Sequence, residues 1–178
     1  MEILFENILI NVKRNCSKGV RTMIKVLFVC LGNICRSPMA EFVFKNMVNK
    51  KGLANEFFID SAATSGYNER AKEGIHYETK NILKQMNIPF EEHISRQIKK
   101  DDYDNFDYIL GMEEENIKNI LKIIGNDKDN KILKLLDFTE KTRDIVDPWY
   151  YGNFDSTYYD IEYGCEKFLE YIVKKEQV

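Results

Sequence analysis

The sequence is poor in the residues that build metal centres and disulfide scaffolds. It has only two histidines, His76 and His93, and its four cysteines are Cys16, Cys30, Cys35 and Cys165. No two cysteines form a CxxC motif and both histidines lie far from them in the sequence, which argues against a zinc site. Four scattered cysteines in a chain of this length do not resemble the framework of a small disulfide-bonded domain. We therefore expect no metal site and no structural disulfides.

Long apolar runs and an excess of positive charge are also missing. No segment approaches the ~18 consecutive apolar residues of a membrane-spanning helix. The net charge of −3 makes the chain a poor general binder of nucleic acid. With 44% hydrophobic and 31% charged residues in a length of 178, the composition is that of one folded domain. We expect neither a membrane nor a nucleic acid as a partner.

Residues 1–22 differ from the rest of the chain, since they carry four basic and two acidic residues. One interpretation is an upstream reading extension before a true start at Met23, and the other is a short arm that binds a partner. Glu2 and Glu6 interrupt the apolar stretch of this segment, so it does not resemble a secretory signal. We therefore expect a domain at residues 23–178, preceded by an extension of doubtful status, in a cytoplasmic protein with reduced thiols.

After Met23, strand-like and helix-like segments alternate. Runs of β-branched and aromatic residues predict strands at residues 24–29, 56–59, 106–112 and 131–136. Apolar residues at helical spacing predict helices that begin at Ser37-Pro38, lie around residues 82–86, span residues 117–124 and run from about Asp155. The alternation predicts an α/β fold, a three-layer α/β/α arrangement with a four-stranded parallel sheet. Ligands of such sheets bind at the carboxyl ends of the strands, which directs attention to the turn after the first strand.

That turn reads Cys30-Leu31-Gly32-Asn33-Ile34-Cys35-Arg36-Ser37. It leaves a strand and enters a helix N-terminus, where several backbone N–H groups can converge on an anion. Gly32 and Asn33 tolerate the positive φ that a tight cradle needs, and Arg36 can bind two anion oxygens at once. A helix N-terminus and an adjacent arginine also stabilise a thiolate, to which Ser37 could donate a hydrogen bond. The turn therefore predicts that Cys30 attacks the phosphorus of a bound phosphate.

In this context the turn resembles a known signature. The segment VLFVCLGNICRSP, residues 26–38, resembles the signature of the low-molecular-weight protein tyrosine phosphatases. The resemblance continues through residues 60–65, 95–98 and 106–110, ends with Asp-Pro-Trp-Tyr at 147–150, and covers about residues 23–175. It implies the phosphotyrosine protein phosphatase I-like fold and a metal-independent hydrolysis of phosphotyrosine without a cofactor.

The resemblance also implies roles for individual residues. Cys30 would be the nucleophile, Arg36 the clamp on the phosphoryl oxygens, and Asp147 the general acid and then the general base. The residues implied to bind phosphate or substrate, or to hold the loop, are Leu31, Gly32, Asn33, Ile34, Cys35, Ser37, Ser61, Tyr67, Trp149 and Tyr150. Of these, Leu31 and the three aromatic residues are implied to form apolar walls around a phenyl ring. A deep aromatic slot is what phosphotyrosine requires, since a shallow slot would serve phosphoserine equally.

Two details of the resemblance stay open. The loop network of this family often includes a histidine, and the nearest position here is Met86, while His76 and His93 are predicted to be surface or structural residues. Cys35 either forms a reversible disulfide with Cys30 under oxidation or packs as a small residue in the loop.

Three other functions are compatible with parts of the pattern. A thiol-dependent arsenate reductase shares this fold and loop but needs further cysteines, and residues 36–164 contain none. A protein arginine phosphatase tends to have threonine at the position of Ile34. A phosphate-binding regulator without turnover would not need Cys30, Arg36 and Asp147 together. We therefore expect a monomeric phosphatase that acts on phosphotyrosine-containing proteins, with a bacterial tyrosine kinase as a candidate partner.

Overall fold

The computed structural model describes residues 23–178, so the predicted extension at residues 1–22 lies outside the described residues. The strands are β1 (Ile24–Cys30), β2 (Phe57–Ala63), β3 (Tyr108–Gly111) and β4 (Ile132–Lys134). The helices are α1 (Arg36–Lys50), α2 (Tyr67–Ala71), α3 (Tyr77–Gln85), α4 (Asp102–Asn105), α5 (Glu114–Ile124), α6 (Pro148–Tyr151) and α7 (Phe154–Glu176). Two 3₁₀ turns cover Ala54–Glu56 and Leu135–Phe138.

The strands form one parallel sheet in the order β2-β1-β3-β4, which confirms the predicted architecture. β1 is central: Val29 pairs with Ala62 of β2 on one side and with Gly111 of β3 on the other. Because all strands point the same way, the carboxyl ends of β1, β2 and β3 meet at one edge of the sheet.

The side chains of β1 alternate between two separate hydrophobic clusters. Val26, Phe28 and Cys30 belong to the cluster that includes residues of α1, α3 and α7. Leu27 and Val29 belong to the cluster that includes residues of α4 and α5. This period of two buries both faces of the sheet in a three-layer arrangement. It also places the Cys30 side chain at the end of β1 on the side of α1.

Several element boundaries differ from the sequence-based prediction. β2 continues to Ala63 because residues 60–63 pair with the last residues of β1. β4 stops at Lys134, where the carboxylate of Asp137 accepts the Lys134 N–H at 2.9 Å and the chain enters a 3₁₀ turn. The short helices α2, α4 and α6 have four or five residues each, too few to show an apolar period in the sequence.

None of the helices within residues 23–178 is long and apolar enough to cross a bilayer.

Candidate active site

The turn between β1 and α1 forms the floor of a cavity of about 890 Å³. Cys30 is the last residue of β1 and Arg36 the first of α1, so a strand end and a helix start fix the two ends of the turn. The loop residues that line the cavity are Cys30, Leu31, Gly32, Ile34, Cys35 and Arg36. Asp147 reaches the same cavity from the segment before α6. The structure therefore brings together the three residues with predicted catalytic roles, although Asp147 is distant in sequence.

Two groups of the turn approach the Cys30 sulfur. The backbone N–H of Asn33 donates to Cys30 Sγ at 3.2 Å, and Ser37 Oγ lies 3.1 Å from it. Both can stabilise a thiolate, because hydrogen bonds to an ionised acceptor are stronger than those to a neutral one.

The other described cysteines are held as thiols. Burial, helped by the nearby Cys30 and Asp147, raises the pKa of Cys35 to about 12. Burial also raises the pKa of Cys165 well above its ordinary value. Cys30, Cys35 and Cys165 are all unpaired, so the reversible Cys30–Cys35 disulfide stays a prediction. The contacts favour Cys30 as the nucleophile of the loop.

Arg36 is almost completely buried, with 1% of its surface exposed. Its Nη1 donates to the carbonyl of Ile145 at 3.0 Å, and its Nη2 lies 2.7 Å from Glu113 Oε1 and 2.5 Å from Asp147 Oδ2. Burial alone would lower the pKa of Arg36, but Cys30, Glu113 and Asp147 outweigh that effect and raise it. The guanidinium therefore stays charged and is held rigidly under the cavity.

Asp147 is held by its own backbone segment as well as by Arg36. It is the N-cap of α6, and its Oδ1 accepts the backbone N–H of Trp149 at 3.0 Å. Just before it, the N–H of Ile145 donates at 2.8 Å to the carbonyl of Met112, the residue that follows β3. The segment of Asp147 is thus attached beside the end of β3, and its carboxylate is held by Arg36 and by the start of α6.

The predicted apolar walls surround the mouth of this cavity. Tyr67, at the start of α2, lines it together with Leu31 from the loop, and Trp149 and Tyr150 of α6 line it as well. All four side chains are exposed, so they form a rim around the charged floor rather than part of the core. An apolar rim around an anion cradle suits a ligand with a planar apolar body and a phosphate at its tip.

Asn33 holds the loop in shape. Its φ of 54° is in the left-handed region, which asparagine tolerates. Its Nδ2 donates to Ser37 Oγ and to Ser61 Oγ, both at 2.9 Å, and its Oδ1 accepts the N–H of Arg96 at 3.1 Å. One buried side chain therefore connects the loop, α1, β2 and the segment before α4.

The comparisons with known proteins agree with this geometry. The family described as low molecular weight phosphotyrosine protein phosphatase matches residues 25–178. The chain is 42% identical over 158 residues to the low molecular weight protein-tyrosine-phosphatase YfkJ of Bacillus subtilis, covering 88% of this chain and 100% of YfkJ.

The chain belongs to the low-molecular-weight protein-tyrosine-phosphatase family.

Solved structures show the same fold. The crystal structure of YfkJ matches with a TM-score of 0.81 and 41% identity, over 89% of this chain and 99% of that one. The low molecular weight protein tyrosine phosphatase SP-PTP from Streptococcus pyogenes matches with a TM-score of 0.76 and 40% identity, over 87% and 97%. DARP, a Drosophila arginine phosphatase, matches with a TM-score of 0.74 and 31% identity, over 83% and 97%.

The structure places the predicted residues of this phosphatase in two layers. Leu31, Gly32, Ile34, Cys35, Tyr67, Trp149 and Tyr150 line the cavity with the three predicted catalytic residues. Asn33, Ser37 and Ser61 are completely buried and do not line the cavity. The predicted positive φ occurs at Asn33 but not at Gly32. A Cβ on Gly32 would come within 2.6 Å of Asn68 Nδ2, which donates to the Gly32 carbonyl, so a larger residue there would displace the Asn68 side chain.

The position of the loop histidine has to be corrected. Met86 ends α3 and packs against the core, whereas the Nε2 of His93 lies 3.2 Å from both the carbonyl and the Oδ1 of Asn33. Both contacts are to acceptors, so Nε2 is the donor. Sequence reasoning missed His93 because it lies in an irregular segment. His93 lies three residues before Arg96, whose N–H binds the same Asn33 Oδ1. This spacing is the signal in the sequence from which the role of His93 could have been predicted.

Two carboxylates near the loop were also missed. Glu41 of α1 is buried, and its Oε2 accepts from Ser61 Oγ at 2.6 Å, which extends the network behind Asn33. Glu113, just before α5, pairs with Arg36. Within the described residues, no group of three histidine, cysteine or acidic side chains could hold a metal ion.

We expect Asn33→Ala to lower both stability and kcat/KM. The substitution leaves buried partners without their hydrogen bonds, at about 1–3 kcal/mol for each unsatisfied group, so a loss of about 2–4 kcal/mol in unfolding free energy is expected. The loop would also lose its shape, and we expect kcat/KM to fall at least about tenfold. Urea unfolding and steady-state kinetics measure the two effects.

A matched control is Asn87→Ala. Asn87 has the same φ of 54°, but it is exposed and lies in the turn after α3. This control is expected to lose only the free energy that corresponds to the strain of alanine in the left-handed region, about 1–2 kcal/mol. If both variants lost equal stability and kept full activity, the proposed role of Asn33 would be refuted.

Proposed function

We propose that this phosphatase hydrolyses phosphotyrosine in proteins, and small aryl phosphates, through a phosphocysteine intermediate at Cys30. The observation that supports it is the convergence of Cys30, Arg36 and Asp147 on one cavity with an aromatic rim. The catalytic domain is residues 23–178. We further propose that it acts as a cytoplasmic monomer and opposes a bacterial tyrosine kinase.

In the first step the Cys30 thiolate attacks phosphorus while the bond from phosphorus to the aryl oxygen breaks. Asp147 gives its proton to the departing phenolate, so the product leaves as a neutral phenol. Arg36 and the loop N–H groups bind the phosphoryl oxygens and stabilise their charge in the transition state. The step leaves a phosphorylated Cys30 and a deprotonated Asp147.

In the second step water attacks phosphorus and the sulfur–phosphorus bond breaks. Asp147 accepts the proton that water loses, and Cys30 leaves as a thiolate. Inorganic phosphate is released, and both groups return to their starting protonation states. The cycle needs no metal ion, because Arg36 and the helix N-terminus supply the positive charge.

The rim supports an aryl rather than a guanidino substrate. Leu31, Tyr67, Trp149 and Tyr150 offer apolar walls to a flat ring. The similarity to DARP keeps phosphoarginine as the second candidate. Ile34, which lines the cavity, favours the aryl substrate because arginine phosphatases tend to have threonine there.

The test is hydrolysis of p-nitrophenyl phosphate with EDTA present, alongside phosphotyrosine, phosphoserine and phosphoarginine peptides. We expect turnover that EDTA does not change and a preference for the phosphotyrosine peptide. A preference for phosphoarginine would replace the proposed substrate. Tight phosphate binding without any turnover would leave a binding protein and refute the catalytic proposal.

A further inference from the structure

The segment that carries Asp147 is attached to the rest of the protein on both sides of α6. Before Asp147, the carbonyl of Ile145 accepts from Arg36 and its N–H donates to Met112. After Asp147, Trp149 of α6 and Phe154 at the start of α7 both contact one ring, that of His76. His76 belongs to neither element, since it is the N-cap of α3.

The geometry of the His76 ring is well defined. It stacks on Phe154 with a centroid distance of 5.4 Å and an interplanar angle of 6°. It meets Trp149 edge-on, also at 5.4 Å, with an angle of 73°. Offset-stacked and edge-to-face contacts at such distances are the favourable arrangements of aromatic rings. His76 therefore touches the second residue of α6 and the first residue of α7.

The orientation of His76 is fixed from its other side. Its backbone N–H donates to the carbonyl of Ile34, in the phosphate loop, at 2.8 Å. Its Nδ1 accepts the N–H of Glu78 at 3.3 Å, which leaves the hydrogen on Nε2 and sets the rotation of the ring. One residue thus links the loop of the nucleophile to the segment of the acid.

His76 is connected to the Asp147 carboxylate through Trp149. The N–H of Trp149 donates to Asp147 Oδ1 at 3.0 Å, so a displacement of Trp149 moves the hydrogen bond that orients the acid. Trp149 is 62% exposed, and its ring makes an edge-on contact with His76. His76 itself also lines the cavity.

We propose that His76 is a positioning residue that keeps the general acid Asp147 aligned with the Cys30 loop through its contacts with Trp149 and Phe154. The proposal rests on the proposed function, in which Asp147 protonates the leaving group. His76 acts through these two rings and transfers no proton itself. A misplacement of a catalytic group by about 1 Å can cost about 100-fold in rate, so a loss of alignment is measurable.

Two substitutions separate this role from simple capping of α3. His76→Asn keeps an acceptor at the N-cap but removes the ring, and asparagine is a favoured N-cap residue. His76→Phe keeps a ring for Trp149 and Phe154 but removes the acceptor. If the rings position the acid, the Phe variant rescues the function and the Asn variant does not. If His76 only caps α3, the order is reversed and the proposal is overturned.

The readout is the dependence of kcat/KM on the leaving group. Phenyl phosphate releases a phenol with a pKa near 10, like tyrosine, and needs the acid, whereas p-nitrophenyl phosphate releases a far more acidic phenol. We expect His76→Asn to lower kcat/KM about 10- to 100-fold for phenyl phosphate and less than about threefold for p-nitrophenyl phosphate. His76→Phe is expected to stay within about threefold of the wild type on both. Equal losses of the Asn variant on both substrates would contradict a role in positioning the acid.

A spectroscopic readout does not depend on activity. Trp149 is the single tryptophan of the chain, so tryptophan fluorescence reports on the surroundings of this one ring. We expect acrylamide to quench the fluorescence of His76→Asn more strongly than that of His76→Phe. Equal quenching of the two variants would show that the ring of residue 76 does not restrain Trp149, and would overturn the proposal.

The Asp147→Asn variant, measured in the same series, separates the general-acid role of Asp147 from the positioning role of His76. If Asp147→Asn does not lower kcat/KM selectively for phenyl phosphate, the general-acid role fails and the inference fails with it. If Asp147→Asn shows that selectivity and His76→Asn does not, the proposed function stands and only the role of His76 is refuted.

Discussion

Cys30→Ser is expected to lower kcat/KM for aryl phosphates by at least about 10⁴-fold, the scale seen when a covalent nucleophile is removed. A serine hydroxyl does not ionise near neutral pH, and the loop has no general base placed to take its proton. The Asn33 N–H and Ser37 Oγ that approach Cys30 Sγ stabilise an anion and do not accept a proton from a hydroxyl. Binding of inorganic phosphate, measured by calorimetry, should persist because Arg36 and the loop N–H groups remain.

Cys35→Ser is the matched control, since it makes the same change in the same loop. The pKa of Cys35, raised to about 12 mainly by burial, keeps it a thiol at neutral pH, so it supplies no nucleophile. We expect this variant to lose less than about tenfold in kcat/KM. A fully active Cys30→Ser enzyme, or an equal collapse of both variants with intact folding, would contradict the assignment of the nucleophile.

Asp147→Asn is expected to lower kcat/KM for a phosphotyrosine peptide by about 10²- to 10⁴-fold, the usual contribution of a general acid. The asparagine can still cap α6 by accepting the Trp149 N–H, so the segment should keep its course. The change also removes the negative charge that faces Arg36, so phosphate affinity should rise or stay equal. A fall in kcat/KM with undiminished phosphate affinity therefore identifies a loss of proton transfer.

Asp144→Asn provides the comparison in the same segment. Asp144 accepts from the N–H of Glu114 and pairs with Lys134 away from the cavity. An exposed pair of this kind contributes little, so kcat/KM should stay within about twofold of the wild type. If the Asp144 variant lost as much activity as the Asp147 variant, the effect would belong to the segment rather than to the acid.

The sequence predicts the floor of the site well because that floor is local. The residues from Cys30 to Ser37 lie in one turn between a buried strand and a helix start, and the structure places them there. Because the strands are parallel, the end of β1 lies at the edge of the sheet where ligands bind. Short-range pattern and a general rule of topology were sufficient for this part.

The supporting residues could not be predicted in the same way, because their roles arise from contacts between distant segments. Glu41 and Lys45 look like an ordinary surface pair at i and i+4 on α1. Only the packing of α1 beside β2 buries Glu41 and brings it to Ser61. Glu113 likewise carries no local signal. His93 lies in an irregular segment without a period, so its spacing of three residues from Arg96 is the sign in the sequence that points to it.

The segment around Asp147 was predicted from the sequence in part. Asp147-Pro148 marks a helix start, and the family resemblance pointed to Asp147 itself. The contact of the segment with His76 depends on where α3 begins, which is at Tyr77 rather than near residue 82. The sequence therefore led to the proposed acid but not to the residue that we propose to position it.

The most direct test of the account is the identification of the covalent intermediate. The Asp147→Asn enzyme is mixed with p-nitrophenyl phosphate, whose good leaving group keeps the first step fast while the second step lacks its base. The reaction is quenched within its first turnover, and the digested protein is analysed by mass spectrometry. We expect one phosphoryl group on the peptide that contains Cys30. Release of one equivalent of p-nitrophenol with no phosphorylated Cys30 peptide, or with the phosphoryl group on another residue such as His76, would contradict it.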